Sequence, residues 1–274
     1  MKRIKQLVFI GIILLVILMI SVFVIRRPSY TIQTNGKLYI VNKLSKSITV
    51  FDLLSGETVI EFPMDIEPHE AITLSSQDKV IVTNYGAPDV IGKSISVINT
   101  ETYKVESTID LEESLRPHGI ISFPGSNNIA VVTDVGNDLV VVNTETGLIE
   151  KKIPTQQVVS HLLVLHPSRP LAYVSNIISN SVSVIDLNLD EVIKIIPCGL
   201  GAEGIDITPD GSEIWVANNK ENTISIIDTE VNEVVHTIAS GKESLRLKFS
   251  INGKYCLATN ASDGTISVYD QKFR

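Results

Sequence analysis

From about residue 31 to the end of the chain, apolar and polar positions alternate with a period of two, in runs of five or six residues that break on Asn, Asp, Gly or Pro. That alternation predicts half-buried β-strands joined by tight turns. One stretch shows the pattern fully. Gly204-Ile205-Asp206-Ile207-Thr208 runs into the turn Pro209-Asp210-Gly211, and Ile214-Trp215-Val216-Ala217-Asn218 follows. Thr223-Ile224-Ser225-Ile226-Ile227-Asp228 and Glu233-Val234-Val235-His236-Thr237-Ile238 complete a four-strand unit. Proline presets the first bend of its turn, and glycine accepts a positive φ at the end of it.

The second strand of this unit recurs. Tyr39–Asn42, Ile81–Asn84, Val131–Asp134, Tyr173–Asn176, Trp215–Asn218 and Leu257–Asn260 are spaced so that four of the five gaps between their last residues are 42. A fixed period near forty built from short strands is the mark of a propeller. The third strand recurs too, ending at Asp52, Asn99, Asn143, Asp186, Asp228 and Asp270. Asx residues placed there close turns by accepting hydrogen bonds from amides two residues on. Thr31–Gly36 imitates an innermost strand and its turn, so it is expected to open the first blade. The last blade, Leu245–Asp270, stops one strand short. The expected architecture is all-β: six antiparallel four-stranded blades, the sixth incomplete, with almost no helix after residue 30.

Tyr173-Val174-Ser175-Asn176, Ser183-Val184-Ile185-Asp186 and Ile207-Thr208-Pro209-Asp210-Gly211 together resemble the YVTN β-propeller repeat family. The resemblance covers about residues 30–274. It implies the propeller fold strongly and an activity only weakly, since the family joins surface proteins of unassigned role to a few enzyme-associated propellers.

The amino-terminal part reads differently. Residues 7–25 carry no charge, and only Gly11 and Ser21 interrupt the apolar run. Nineteen helical residues rise about 28 Å, close to the hydrocarbon thickness of a bilayer. Lys2, Arg3 and Lys5 precede the run, and Arg26 and Arg27 follow it. The expected plan is a basic cytoplasmic tail (1–6), an uncleaved transmembrane anchor (7–25), a linker (26–30) and an extracytoplasmic propeller (31–274). A cleaved signal peptide is the alternative; the apolar run is long for one, and no small-x-small cleavage site precedes Arg26.

The first 27 residues hold five basic and no acidic side chains, which leaves the rest with 18 basic against 31 acidic, a formal charge of −13. A domain this acidic repels phosphate backbones, so nucleic acid is not an expected partner. Two cysteines make no disulfide framework. Cys256 takes a buried strand position and Cys198 a loop, and both are expected as free thiols.

Candidate chemistry gathers at one register. The residues that begin successive innermost strands are His69, His118, His161, Glu203 and Leu245, with Pro28 as the approximate first. Innermost strands line a propeller's central channel, so these side chains are expected at one mouth of it. Histidine and carboxylate suit zinc or copper, with His69, His118 and His161 as metal ligands and Glu203 as ligand or base. Arg116 and Glu67, two residues earlier, face the same mouth in this reading. The plainer alternative is that a Pro-His-Gly-Ile turn uses its histidine only to satisfy backbone groups. Gly86-Ala87-Pro88-Asp89-Val90-Ile91-Gly92-Lys93-Ser94 mimics a phosphate loop, but it has one residue too many and joins two strands instead of opening a helix. It reads better as an enlarged loop suited to partner contact.

Two functions stay open on these grounds. One is a membrane-tethered module that binds a protein or small ligand, with no catalytic residue assigned. The other is a metal-dependent hydrolase, lactonase-like enzyme or redox-associated propeller working at the histidine mouth, with a divalent transition metal as its cofactor.

Overall fold

The computed structural model describes residues 34–273. The expected tail, anchor and linker, and most of the strand expected at Thr31–Gly36, lie outside them; 34–36 are not in a strand. Every regular element described is a β-strand, and no helix among the described residues is long and apolar enough to cross a membrane.

Six antiparallel sheets follow one another along the chain. Blade one holds β1 (Lys37–Asn42), β2 (Ser47–Asp52) and β3 (Glu57–Pro63). Blade two holds β4 (Pro68–Thr73), β5 (Lys79–Gly86), β6 (Ile91–Asn99) and β7 (Val105–Asp110). Blade three holds β8 (Pro117–Ser122), β9 (Asn128–Thr133), β10 (Asp138–Asn143) and β11 (Ile149–Pro154). Blade four holds β12 (Ser160–Leu165), β13 (Leu171–Asn176), β14 (Ser181–Asp186) and β15 (Glu191–Pro197). Blade five holds β16 (Ala202–Ile207), β17 (Glu213–Asn218), β18 (Thr223–Asp228) and β19 (Glu233–Ala239). Blade six holds β20 (Ser244–Phe249), β21 (Tyr255–Asn260) and β22 (Thr265–Asp270). Blades two to five have four strands each and blade six has three, as the repeat predicts.

The apolar alternation is satisfied between blades. Tyr173, Val184 and Ile196 of blade four pack with Ile205, Ile214 and Val216 of blade five, and equivalent clusters fill the other described junctions from blade one to blade six. Blades two to five thus bury both faces against their neighbours, and their inner strands pack side by side around the axis. All six third strands end in the expected Asx turn: Asp52, Asn99, Asn143, Asp186, Asp228 and Asp270 each accept a hydrogen bond from the amide two residues on, at 2.8–3.1 Å.

The second strands bring a correction. Asn42, Asn84, Asn176, Asn218 and Asn260 each donate through Nδ2 to hydroxyls of the neighbouring strand, as Asn218 does to Thr223 and Ser225 at 2.9 Å. In blade three the place across from the start of the inner strand is held by Thr133, because Pro117 pairs with Thr133 as Ser160 pairs with Asn176. Asp134 lies one residue beyond the strand. The extra residues between Asn84 and Asp134 hide this shift in the sequence, because an Asx side chain sits where the repeat leads one to look for it.

Candidate ligand site at the channel mouth

All five described inner strands carry a register shift at the same place, between the first pair with the second strand and the next. A bulge bends its strand and re-aims the side chain it displaces. The displaced residues are His69, His118, His161, Glu203 and Leu245, so the repeated irregularity lies at the predicted candidate register. The inner strands β4, β8, β12, β16 and β20 pack side by side in that order.

The three histidines come together as a stack. The His118 ring centroid lies 4.0 Å from that of His69 and 3.6 Å from that of His161, with interplanar tilts of 46° and 36°. Two glycines permit this closeness. A Cβ on Gly119 would lie 2.7 Å from the His161 carbonyl oxygen and 2.8 Å from Leu162 Cα, and one on Gly204 would lie 2.7 Å from the Leu245 carbonyl oxygen. Only a residue without a side chain lets these inner strands approach so nearly.

A second register completes the mouth: the residues next after Asn42, Asn84, Thr133 and Asn218, namely Lys43, Tyr85, Asp134 and Asn219. Asp134 accepts from Tyr85 Oη at 2.9 Å and lies 3.2 Å from His161 Nδ1. Glu203 lies 3.6 Å from His161 Nε2 and accepts a short hydrogen bond from Asn219. The Tyr85 ring stands 5.0 Å from His69 and 5.5 Å from His118, with Lys43 Nζ over it at 4.3 Å. A third register adds Glu70 and Arg246. Arg246 of blade six reaches Glu70 of blade two at 2.8 Å and Glu203 of blade five at 3.4 Å, so it joins three blades at the mouth.

Arg116 is at the same mouth, where it acts as a clamp. Its Nη2 donates to the Ala87 carbonyl at 2.8 Å and its guanidinium lies 4.9 Å from the Tyr85 ring centre. The enlarged loop therefore extends the β5–β6 hairpin, with Gly86 paired to Ile91, and presents Tyr85 to the histidines. Glu67 contributes its backbone carbonyl to Gly86. His166 and His236 lie elsewhere: His166 accepts from the Ser168 and Arg169 amides, and His236 is exposed on β19. Cys198 and Cys256 are free thiols, and Cys256 is buried as expected.

Burial separates the three imidazoles. His118 is 2 % exposed, and desolvation, followed by the charge of neighbouring His161, holds it well below the ordinary histidine range and therefore uncharged. Burial pushes His161 the same way, but the Asp134 and Glu203 carboxylates beside its two ring nitrogens outweigh that and raise it. Burial also pushes Glu70 up, and His69 with Arg246 more than reverses it. Tyr85 is pushed up to about 12 by burial and the Asp134 charge, so its hydroxyl keeps its proton and donates. Each effect follows from desolvation set against named charges. Among the described residues, His118 Nδ1 is buried without a hydrogen-bond partner, and His69 Nδ1 has only the Glu70 carboxylate near it, at 3.5 Å. Two sets of ligand-type atoms fall within 4.8 Å of one another, His69–Glu70–His118 and His118–Asp134–His161. The histidines thus belong to two overlapping groups that share His118, each completed by a carboxylate.

Fold and site together define a six-bladed β-propeller with a polar, partly buried cluster at one channel mouth. Residues 125–252, just under half of the chain, match the family described as YNCE-like beta-propeller. No curated protein matches the sequence. Among solved structures, a chain of the Kuenenia stuttgartiensis hydrazine synthase is similar over 87 % of this chain and 93 % of its own, at 14 % identity and a TM-score of 0.57. That likeness speaks for the fold alone.

Proposed function

We propose that this propeller is a binding module, tethered at the outer face of a membrane, that captures a small cationic or donor-rich ligand at its channel mouth without transforming it. The observation that carries this is the buried His118 nitrogen that lacks a partner, set among Asp134, His161 and Glu203. A buried polar atom left unpaired costs about 1–3 kcal/mol, which a ligand occupying the cluster would offset. Asp134 and Glu203 flank the two ring nitrogens of His161 and favour a ligand that offers hydrogen-bond donors or positive charge there, while Lys43, Arg116 and Arg246 offset the carboxylate charge over the rest of the mouth. The innermost groups are too buried for a flat protein surface to reach, which favours a small ligand over a protein partner. The overall negative charge disfavours nucleic acid. The uncharged apolar run at 7–25, with its basic flank, supports the tether.

Thermal melting of the detergent-solubilised full chain against zinc, copper and a series of small amines and amino acids tests the binding. A probe at a hundred times its Kd adds about 2.7 kcal/mol, which for a domain of this size raises Tm by roughly 5–10 °C. We expect at least one probe to do so in the wild type and not in His118→Gln. If none does, or if both respond alike, the mouth is not a ligand site. Location is tested separately by membrane fractionation, where full-length protein found only in the soluble fraction would remove the tether.

The hydrolytic or redox alternative draws on the two histidine–carboxylate sets. It requires that one of them hold a metal, so metal content decides whether it survives.

A further inference from the structure

We propose that His118, Asp134 and His161 form a site for one divalent transition-metal ion of the zinc or copper class, which gives a chemical identity to the ligand of the channel mouth. The proposal rests on that mouth being the binding site, and the two can fail separately.

The donor set comes from three places in the fold: the bulge of β8, the residue after β9 and the bulge of β12. All three side chains are buried, at 2 %, 8 % and 8 % exposure. Two imidazoles and one carboxylate make a ligand set typical of zinc, with a fourth position left for water or an exogenous group. Bonds of about 2.0–2.1 Å in tetrahedral array place donor atoms about 3.3 Å apart. The Asp134 and His161 atoms are already 3.2 Å apart, and the whole set lies within 4.8 Å, so the closure required is at most about 1.5 Å. Packing holds the set in place. His118 stacks on His161, Gly119 lets their strands close, and Tyr85 donates to the second oxygen of Asp134. A carboxylate hydrogen-bonded from behind is the support that metal ligands commonly have. The buried, partnerless His118 Nδ1 is a separate observation, since the packing around His118 leaves that atom no protein acceptor or donor.

The other set, His69–Glu70–His118, is less suited. Glu70 is engaged by Arg246 at 2.8 Å, so an ion there would have to displace or face an arginine. Asp134 pairs with His161, which is itself one of the proposed ligands.

The test uses the full chain without an affinity tag, solubilised in detergent, stripped with chelator, loaded with zinc or copper(II), and desalted. Elemental analysis should find about one equivalent in the wild type and in His236→Ala, and under a tenth of an equivalent in His118→Gln and in Asp134→Asn. The copper-loaded wild type should show nitrogen hyperfine coupling in its electron paramagnetic resonance spectrum, reduced in His161→Gln. Asp134→Asn keeps the side-chain volume, so it decides the matter if His118→Gln does not fold; cooperative melting of the chelated proteins establishes which variants do. Less than a tenth of an equivalent in the wild type, or full retention in Asp134→Asn, overturns the proposal. If metal is not retained but an amine probe raises Tm in a His118-dependent way, the binding reading stands and the metal assignment falls. If neither occurs, both fall.

Discussion

The behaviour of single side chains at the mouth follows from where carboxylates sit relative to buried rings. His161 lies between Asp134 on one ring nitrogen and Glu203 on the other, with His118 stacked against it. Its raised affinity for a proton implies stabilisation that is complete below the ordinary histidine value near 6.5 and lost as pH rises through the higher native value. Asp134→Asn should remove much of that gain. In metal-free protein, the variant's melting temperature should fall short of wild type below pH 6.5 and converge with it at alkaline pH, and the His161 imidazole resonances should titrate at lower pH. A variant whose His161 resonances titrate as in the wild type would show that Asp134 is not the group that holds the proton. His118 works in the opposite sense. Because burial keeps it neutral, the unfolded chain gains a proton there as pH falls below about 6.5 and the native chain does not, which weakens the fold in acid. Its candidacy was legible from the repeat alone, since one register delivers His69, His118, His161 and Glu203. Asp134 and Tyr85 were not legible in this role. Asp134 passes for a repeat asparagine, and Tyr85 belongs to a loop that looks like an insertion.

At the level of strands, the site depends on bulges and on close approach. Each inner strand bends where its candidate residue lies, and two of those strands have glycine next to that residue, Gly119 and Gly204. The added methyl of Gly119→Ala would meet backbone of the next blade at 2.7–2.8 Å, and backbone yields little. Overpacking of this kind costs about 1–3 kcal/mol. Urea unfolding of Gly119→Ala should show a loss in that range, with weaker probe binding at the mouth. A variant as stable as wild type would mean that β8 and β12 can separate without penalty. The same physics explains why the bulges escaped the sequence reading. The alternation of apolar and polar residues gives a strand's faces, whereas a one-residue irregularity depends on its hydrogen-bonded partner.

For the molecule as a whole, the ring brings together residues far apart in the chain. Arg246 and Glu70 are separated by 176 positions yet lie 2.8 Å apart, and the same arginine reaches Glu203. Both partners of the longer link are about one-third exposed, so solvent screening leaves a modest energy. A double-mutant cycle with Arg246→Ala and Glu70→Ala should give a coupling of no more than about 1 kcal/mol, smaller at high salt. A coupling several-fold larger would show that blade six is held to blade two mainly by this pair. Among the described residues this pair links blade six to blade two across the mouth, while Ile266 and Val268 of β22 are exposed.

The strands, the Asx turns, the number of blades and the register at which histidine and glutamate recur can all be read along the chain, because each is a local consequence of alternation and period. Which of those residues meet depends on the folded ring. Bulges turn them toward the axis, glycines let neighbouring blades close to 3.6 Å between rings, and the ring sets Asp134, Tyr85 and Arg246 beside them. Proximity across blades is a property of packing in three dimensions, which no periodicity along one dimension contains.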